Sequence, residues 1–195
     1  MDKQIPRNIK ISIERDSGNN QFETRQLILR KGKSETALHI ILELLAYLYF
    51  WNFELLIEPQ FRYRKYRPDL ISFKEPEIPL ETEREVNLWI ECKKVKLRKL
   101  IKLGRTLPYS NIFWFQKFEI LNRNLNNVFS KRKYPLPTNI HLIGIKLNNE
   151  TWNILQSSLF IKHPSWKFIR QEKEIILFSC ENLKIPLKPL KFHHF

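Results

Sequence analysis

Leu88-Trp89-Ile90-Glu91-Cys92-Lys93 is the stretch on which the fold turns. Its residue types suit a strand, and side chains alternate across a strand. Glu91 and Lys93 therefore share one face, ~6.6 Å apart at ~3.3 Å rise per residue, while Leu88, Ile90 and Cys92 share the apolar one. Upstream stands Pro68-Asp69, at the head of a second strand-like run over 68–73. Pairing of these two strands would bring two carboxylates and an ammonium onto one patch.

Working outward, strands are expected at 8–14 and 22–30 around a turn at 16–20. Ser34 reads as the N-cap of a helix with Glu35 in its first turn. Leu38, Ile41, Leu42, Leu45 and Leu48 follow at helical spacing, with Glu35, His39 and Glu43 as the opposite stripe and His39 on the helix surface or its boundary. Further strands are expected at 53–60, 87–94, 111–115 and 139–146, and two within 167–180. Helices are expected at 95–103, ended by Gly104, and at 118–129 and 150–159. Loops fill 75–85 and 131–138. Strands and helices interleave, so the class is α/β, with a single domain over 1–182 and a loosely docked tail over 183–195.

Composition narrows the function classes. The 195 residues carry 34 Lys and Arg against 20 Asp and Glu, a formal net charge of +14. With 43% hydrophobic residues the chain is too apolar for wholesale disorder. Two cysteines exclude a disulfide scaffold or a Cys-ligated zinc module, and they imply a reducing intracellular compartment such as the cytoplasm. The longest apolar stretch, 40–57, is interrupted by Glu43, Asn52 and Glu54, which argues for core rather than membrane. Four glycines form no phosphate-cradling loop.

The charge is concentrated. Between 92 and 149 thirteen Lys and Arg face one acid, Glu119, as a surface that tracks a phosphate backbone requires. Lys94, Lys96, Arg98, Lys99 and Lys102 are the expected phosphate contacts, with Arg64 and Arg67 on the other flank. Nucleic acid, DNA before RNA, is the expected partner and a membrane is not.

The carboxylate grouping suits metal-assisted phosphodiester hydrolysis. Asp69 and Glu91 would hold Mg²⁺, with Mn²⁺ as a substitute, at ~2.0–2.1 Å, and Cys92 would add its main-chain carbonyl. The cation would polarise the phosphate and acidify the attacking water, with Lys93 beside that water. The plainer alternatives are a strand-opening Asp69 and a solvated Glu91–Lys93 ion pair.

Pro68-Asp69 with Glu91-Cys92-Lys93 resembles the signature of the PD-(D/E)xK nuclease superfamily. A longer likeness, over roughly residues 8–116, is to the YaeQ family. Its stretches are Asn20-Gln21-Phe22, Lys33-Ser34-Glu35-Thr36 before the helix holding Leu44-Leu45-Ala46-Tyr47-Leu48, and Leu88-Trp89-Ile90-Glu91. The resemblance implies a restriction-endonuclease-like core, a central mixed β-sheet flanked by helices. It implies metal binding by Asp69 and Glu91, the superfamily lysine's role for Lys93, and a helix carboxylate best matched by Glu35, with Glu43 in reserve. YaeQ members typically have Gly at the position of Lys93, so this chain resembles YaeQ in scaffold and an orthodox nuclease at its site. The expected function is a Mg²⁺-dependent nuclease. The alternatives are a catalytically silent nucleic-acid-binding module on the same scaffold, and a basic component of an RNA–protein assembly with no site at all.

Overall fold

Ile9, Ile11 and Ile13 alternate with more exposed residues along β1 (Asn8–Asp16) and are buried. Each such side chain contributes ~1.5–3 kcal/mol of burial free energy. The computed structural model describes residues 8–17, 21–30, 32, 35–63, 65–75, 84–129 (side chains to 126), 136–161, 164–171, 174–177 and 183–190. The turn at 18–20, Ser34, Arg64 and most of the expected loops at 75–85 and 131–138 lie outside the described residues.

The fold is mixed α/β, with ten strands and four helices among the described residues. They form two compact units. The first takes the chain up to Tyr49 together with Leu147–Leu187. In it β1 pairs antiparallel with β2 (Phe22–Arg30) and parallel with β8 (Ser165–Gln171). β8 pairs antiparallel with β9 (Glu174–Leu177), which pairs antiparallel with β10 (Leu183–Leu190). Of the segment expected as a loose tail, residues 183–190 form a strand, with Ile185 and Leu187 buried, and the rest lies outside the described residues. Helices α1 (Ala37–Tyr49) and α4 (Asn149–Ser158) pack on each other, and α1 packs on β8 and β9.

α1 departs from the amphipathic expectation. Every residue from His39 to Leu48 is buried. Thr36 caps the helix, its hydroxyl accepting from the His39 N–H at 3.3 Å, so the helix starts later than Ser34 implied. His39, expected at the helix surface or its boundary, is buried and lies 3.0 Å from the Glu43 carboxylate, one turn on.

The second unit takes Phe50–Lys146 and the chain from Lys188 onward. Its strands run in the order β7 (Ile140–Ile145), β6 (Asn111–Lys117), β5 (Val86–Glu91), β4 (Leu70–Phe73), β3 (Leu56–Ile57). The first three are mutually parallel, and β4 and β3 follow antiparallel. Helices α2 (Leu97–Thr106) and α3 (Phe118–Phe129) make the β5–β6 and β6–β7 crossovers. Trp89, Ile112, Trp114, Leu100, Leu103 and Leu121 fill the core beneath them.

Gly104 does not end α2. It lies inside the helix and is buried, at a position where a Cβ would come within 2.9 Å of Pro137. The helix stops further on, where the Asn139 side-chain amide donates to the Leu107 and Ser110 carbonyls at 2.7 and 3.0 Å. No helix among the described residues is long and apolar enough to cross a membrane.

Candidate functional site

Register brings the two acids together. Leu70 stands opposite Ile90 in the antiparallel β4–β5 pair, so Asp69, one residue out, is level with Glu91. Directly opposed residues share a face. The Asp69 backbone is pinned from both sides: its N–H donates to the Ile90 carbonyl at 3.1 Å, and its carbonyl accepts from the Glu58 N–H at 2.7 Å. The approach to it is strained. Glu58 and Lys65 adopt φ of 42° and 68°, each costing on the order of 1–3 kcal/mol for a residue with a side chain.

Both carboxylates are inside the protein, with Asp69 1% and Glu91 0% exposed. β5 ends at Glu91, and the chain then wraps the Asp69 carboxylate. Asp69 Oδ2 accepts from the backbone N–H groups of Cys92 (2.6 Å) and Lys93 (3.2 Å). Asp69 Oδ1 accepts from Lys93 Nζ at 2.5 Å. The reading that carries strand alternation through Lys93 is therefore corrected: Lys93 lies past the strand end and pairs with Asp69. Its carbonyl accepts from Trp114 Nε1 at 2.9 Å.

Glu91 has a different partner. Its Oε1 accepts from Trp89 Nε1 at 2.9 Å and from Lys99 Nζ at 2.7 Å. Its Oε2 is buried with no hydrogen-bond partner among the described residues. Burial, and then the Asp69 charge, raise the Glu91 pKa above the ordinary carboxylate range, against the pull of Lys99. The pairing is thus crossed, Lys93 on Asp69 and Lys99 on Glu91, and both lysines reach in from partly exposed positions (44% and 27%).

Sequence reasoning sets Lys99 among the phosphate contacts and misses it as the partner of Glu91. The available signal is the five-residue connection, 92–96, between an acid-ended strand and a basic helix. Lys94, Lys96, Arg98 and Lys102 are exposed. Arg67 is exposed too, yet its guanidinium donates to the Pro59 carbonyl at 2.9 Å and so braces the strained loop. Cys92 is buried, its thiol inside the protein. Glu35 belongs to the first unit, where its carboxylate accepts from the Gly32 N–H at 2.6 Å; the second unit alone brings together Asp69, Glu91, Lys93 and Lys99.

The arrangement defines first a class of fold: one that recurs in solved structures along nearly the whole chain, at sequence identities too low to carry more than the fold. Those structures are YaeQ proteins. One, from Pseudomonas syringae, superposes with a TM-score of 0.70 at 16% identity, covering 98% of this chain and 99% of that one. Another, from Xanthomonas axonopodis pv. citri, gives a TM-score of 0.62 at 15% identity over 94% and 96%. No protein-family profile matches the sequence, and no curated protein resembles it at a significant level.

Proposed function

We propose that this chain is a YaeQ-like member of the PD-(D/E)xK nuclease superfamily, with a restriction-endonuclease-like core. In this reading it is a metal-dependent phosphodiesterase acting on nucleic acid, DNA in preference to RNA. The observation that carries it is the pair of buried acids level on β4 and β5, with the Lys93 ammonium held on one of them. The parallel β5–β6–β7 strands with helical crossovers support the core.

The residues fit a hard cation. Glu91 Oε2 is a buried oxygen with no donor among the described residues, in a carboxyl whose pKa burial raises. Asp69, Glu91 and the Cys92 carbonyl would hold Mg²⁺, or Mn²⁺ in its place. When bound, the cation supplies polarisation of the phosphate and acidification of water. The two backbone N–H groups on Asp69 Oδ2 fix that carboxylate in one orientation. Lys93 is accessible enough to meet solvent water and a substrate phosphate while tethered to Asp69. Lys99 limits the negative charge that a buried Glu91 brings.

One observation favours a second reading, the silent nucleic-acid-binding module: each acid already has an ammonium partner. Digestion of plasmid and single-stranded DNA by the pure protein, under Mg²⁺ or Mn²⁺ titration, separates the two. Asp69→Ala and Lys93→Ala should lower cleavage at least a hundredfold while the far-UV spectrum stays native. Unchanged hydrolysis in those variants removes these residues from the mechanism. Salt-sensitive binding with no turnover in the wild type leaves the silent module.

A further inference from the structure

Lys99, the partner of Glu91, also lies 6.0 Å from the centre of the Tyr66 ring. That ring is part of the wall of a cleft of about 400 Å³, lined by Lys65, Tyr66, Lys102, Arg105 and Thr106. Among the described residues, three cations and no acid line it. Among the described residues none of the three cations forms an ion pair. Lys102 and Arg105 sit three residues apart on α2, where side chains are neighbours. Lys65 comes from a tight turn in which Tyr63 and Tyr66 exchange N–H···O bonds at 2.8 and 3.0 Å. The positive φ of Lys65 is held there despite its strain, and the result is a third positive charge beside two others.

Like charges gathered in one cleft repel, and an anion held among them would relieve that repulsion. We infer that this cleft is a phosphate-binding subsite for the backbone of a nucleic-acid chain. Arg105 offers the planar fork that matches two phosphate oxygens, and the two lysines add compact charges. The volume falls in the range of small-molecule sites, leaving space for a sugar beside the phosphate. The inference rests on the proposed function for its choice of nucleic acid, and it extends that site by naming what is gripped on the other side of the Lys99–Tyr66 pair.

The test is fluorescence anisotropy with labelled single-stranded DNA over a NaCl series. It compares the wild type, a K65A/K102A/R105A variant, and a control that loses three exposed cations of the first unit, K10A/R30A/K184A. Expected for the cleft variant is a loss of affinity of about tenfold or more. Its log K against log salt should be shallower by roughly 0.7 for each phosphate that the protein no longer neutralises. The control should keep both values, and inorganic phosphate at millimolar concentration should compete with DNA on the wild type more than on the cleft variant. Equal losses in both variants mean diffuse charge and overturn the subsite, as does unchanged affinity in the cleft variant. An equal loss for heparin oligosaccharide makes it a general polyanion sink and also overturns it. Cleavage assays on the same proteins keep the two ideas apart: no turnover in the wild type with selective loss in the cleft variant sinks the hydrolytic reading and leaves the subsite standing.

Discussion

Helices α1 and α2 are made from opposite materials. α1 is apolar around its circumference, and its two ionisable neighbours, His39 and Glu43, meet each other inside the protein. α2 turns Leu100, Leu103 and Gly104 inward and shows Arg98, Lys102 and Arg105 to solvent. It has no acid in its first turn, and Lys96 stands at the N-cap without a side-chain hydrogen bond. That placement sets cations against the positive end of the helix dipole. The difference teaches that α1 is selected for stability, whereas α2 gives up some stability to carry charge beside the candidate site.

The largest effect should come from α1. Leu45→Ala should cost about 2–5 kcal/mol in urea unfolding, while Lys102→Ala should stay within ~0.5 kcal/mol. Similar losses at the two positions would break the contrast.

Glu91 gives the next test, read as a slope against pH. Below the ordinary carboxylate pKa of 4.5 the group is protonated in both folded and unfolded chains and has no effect. Above it the unfolded chain releases the proton while the folded protein holds it, so stability falls as pH rises toward the raised folded pKa. Glu91→Gln should remove that fall. Thermal unfolding from pH 4 to 9 checks it, and parallel curves for the two proteins would contradict the raised pKa.

The smallest effect sharpens the comparison most. Lys96→Asp provides both a cap and a favourable charge at the start of α2, and should stabilise by about 0.5–1 kcal/mol. The same change should weaken binding to single-stranded DNA. A variant that is more stable and binds equally well would show that the cations on this helix have no polyanion to meet.

Much of this architecture could be read from local pattern. The bounds of β2 and α3 agree with the runs 22–30 and 118–129, because their ends are set by nearby residues. Long-range packing hid the rest. β3 is two residues long where eight were expected, since Glu58 takes a positive φ and Pro59 follows. Gly104 looks like a helix stop in sequence and is a close-packing position. At the candidate site, opposition of Asp69 and Glu91 was legible from two strands and their spacing. That Lys93 would leave the strand for Asp69, and that Lys99 would reach Glu91, depended on how the chain leaves β5 and how α2 rotates over it. Nothing in the alternation of 88–93 encodes either.

The crossed ion pairs constrain how this sequence can drift. An uncompensated charge left in the interior costs several kcal/mol, whereas a matched pair can be exchanged for well-packed apolar residues at little net cost. Asp69 is therefore tied to Lys93, and Glu91 to Lys99, as couples that change jointly or not at all. Across descendants of this chain the four positions should behave, for folding stability, as two inherited units, each near neutral when swapped whole and destabilising when halved.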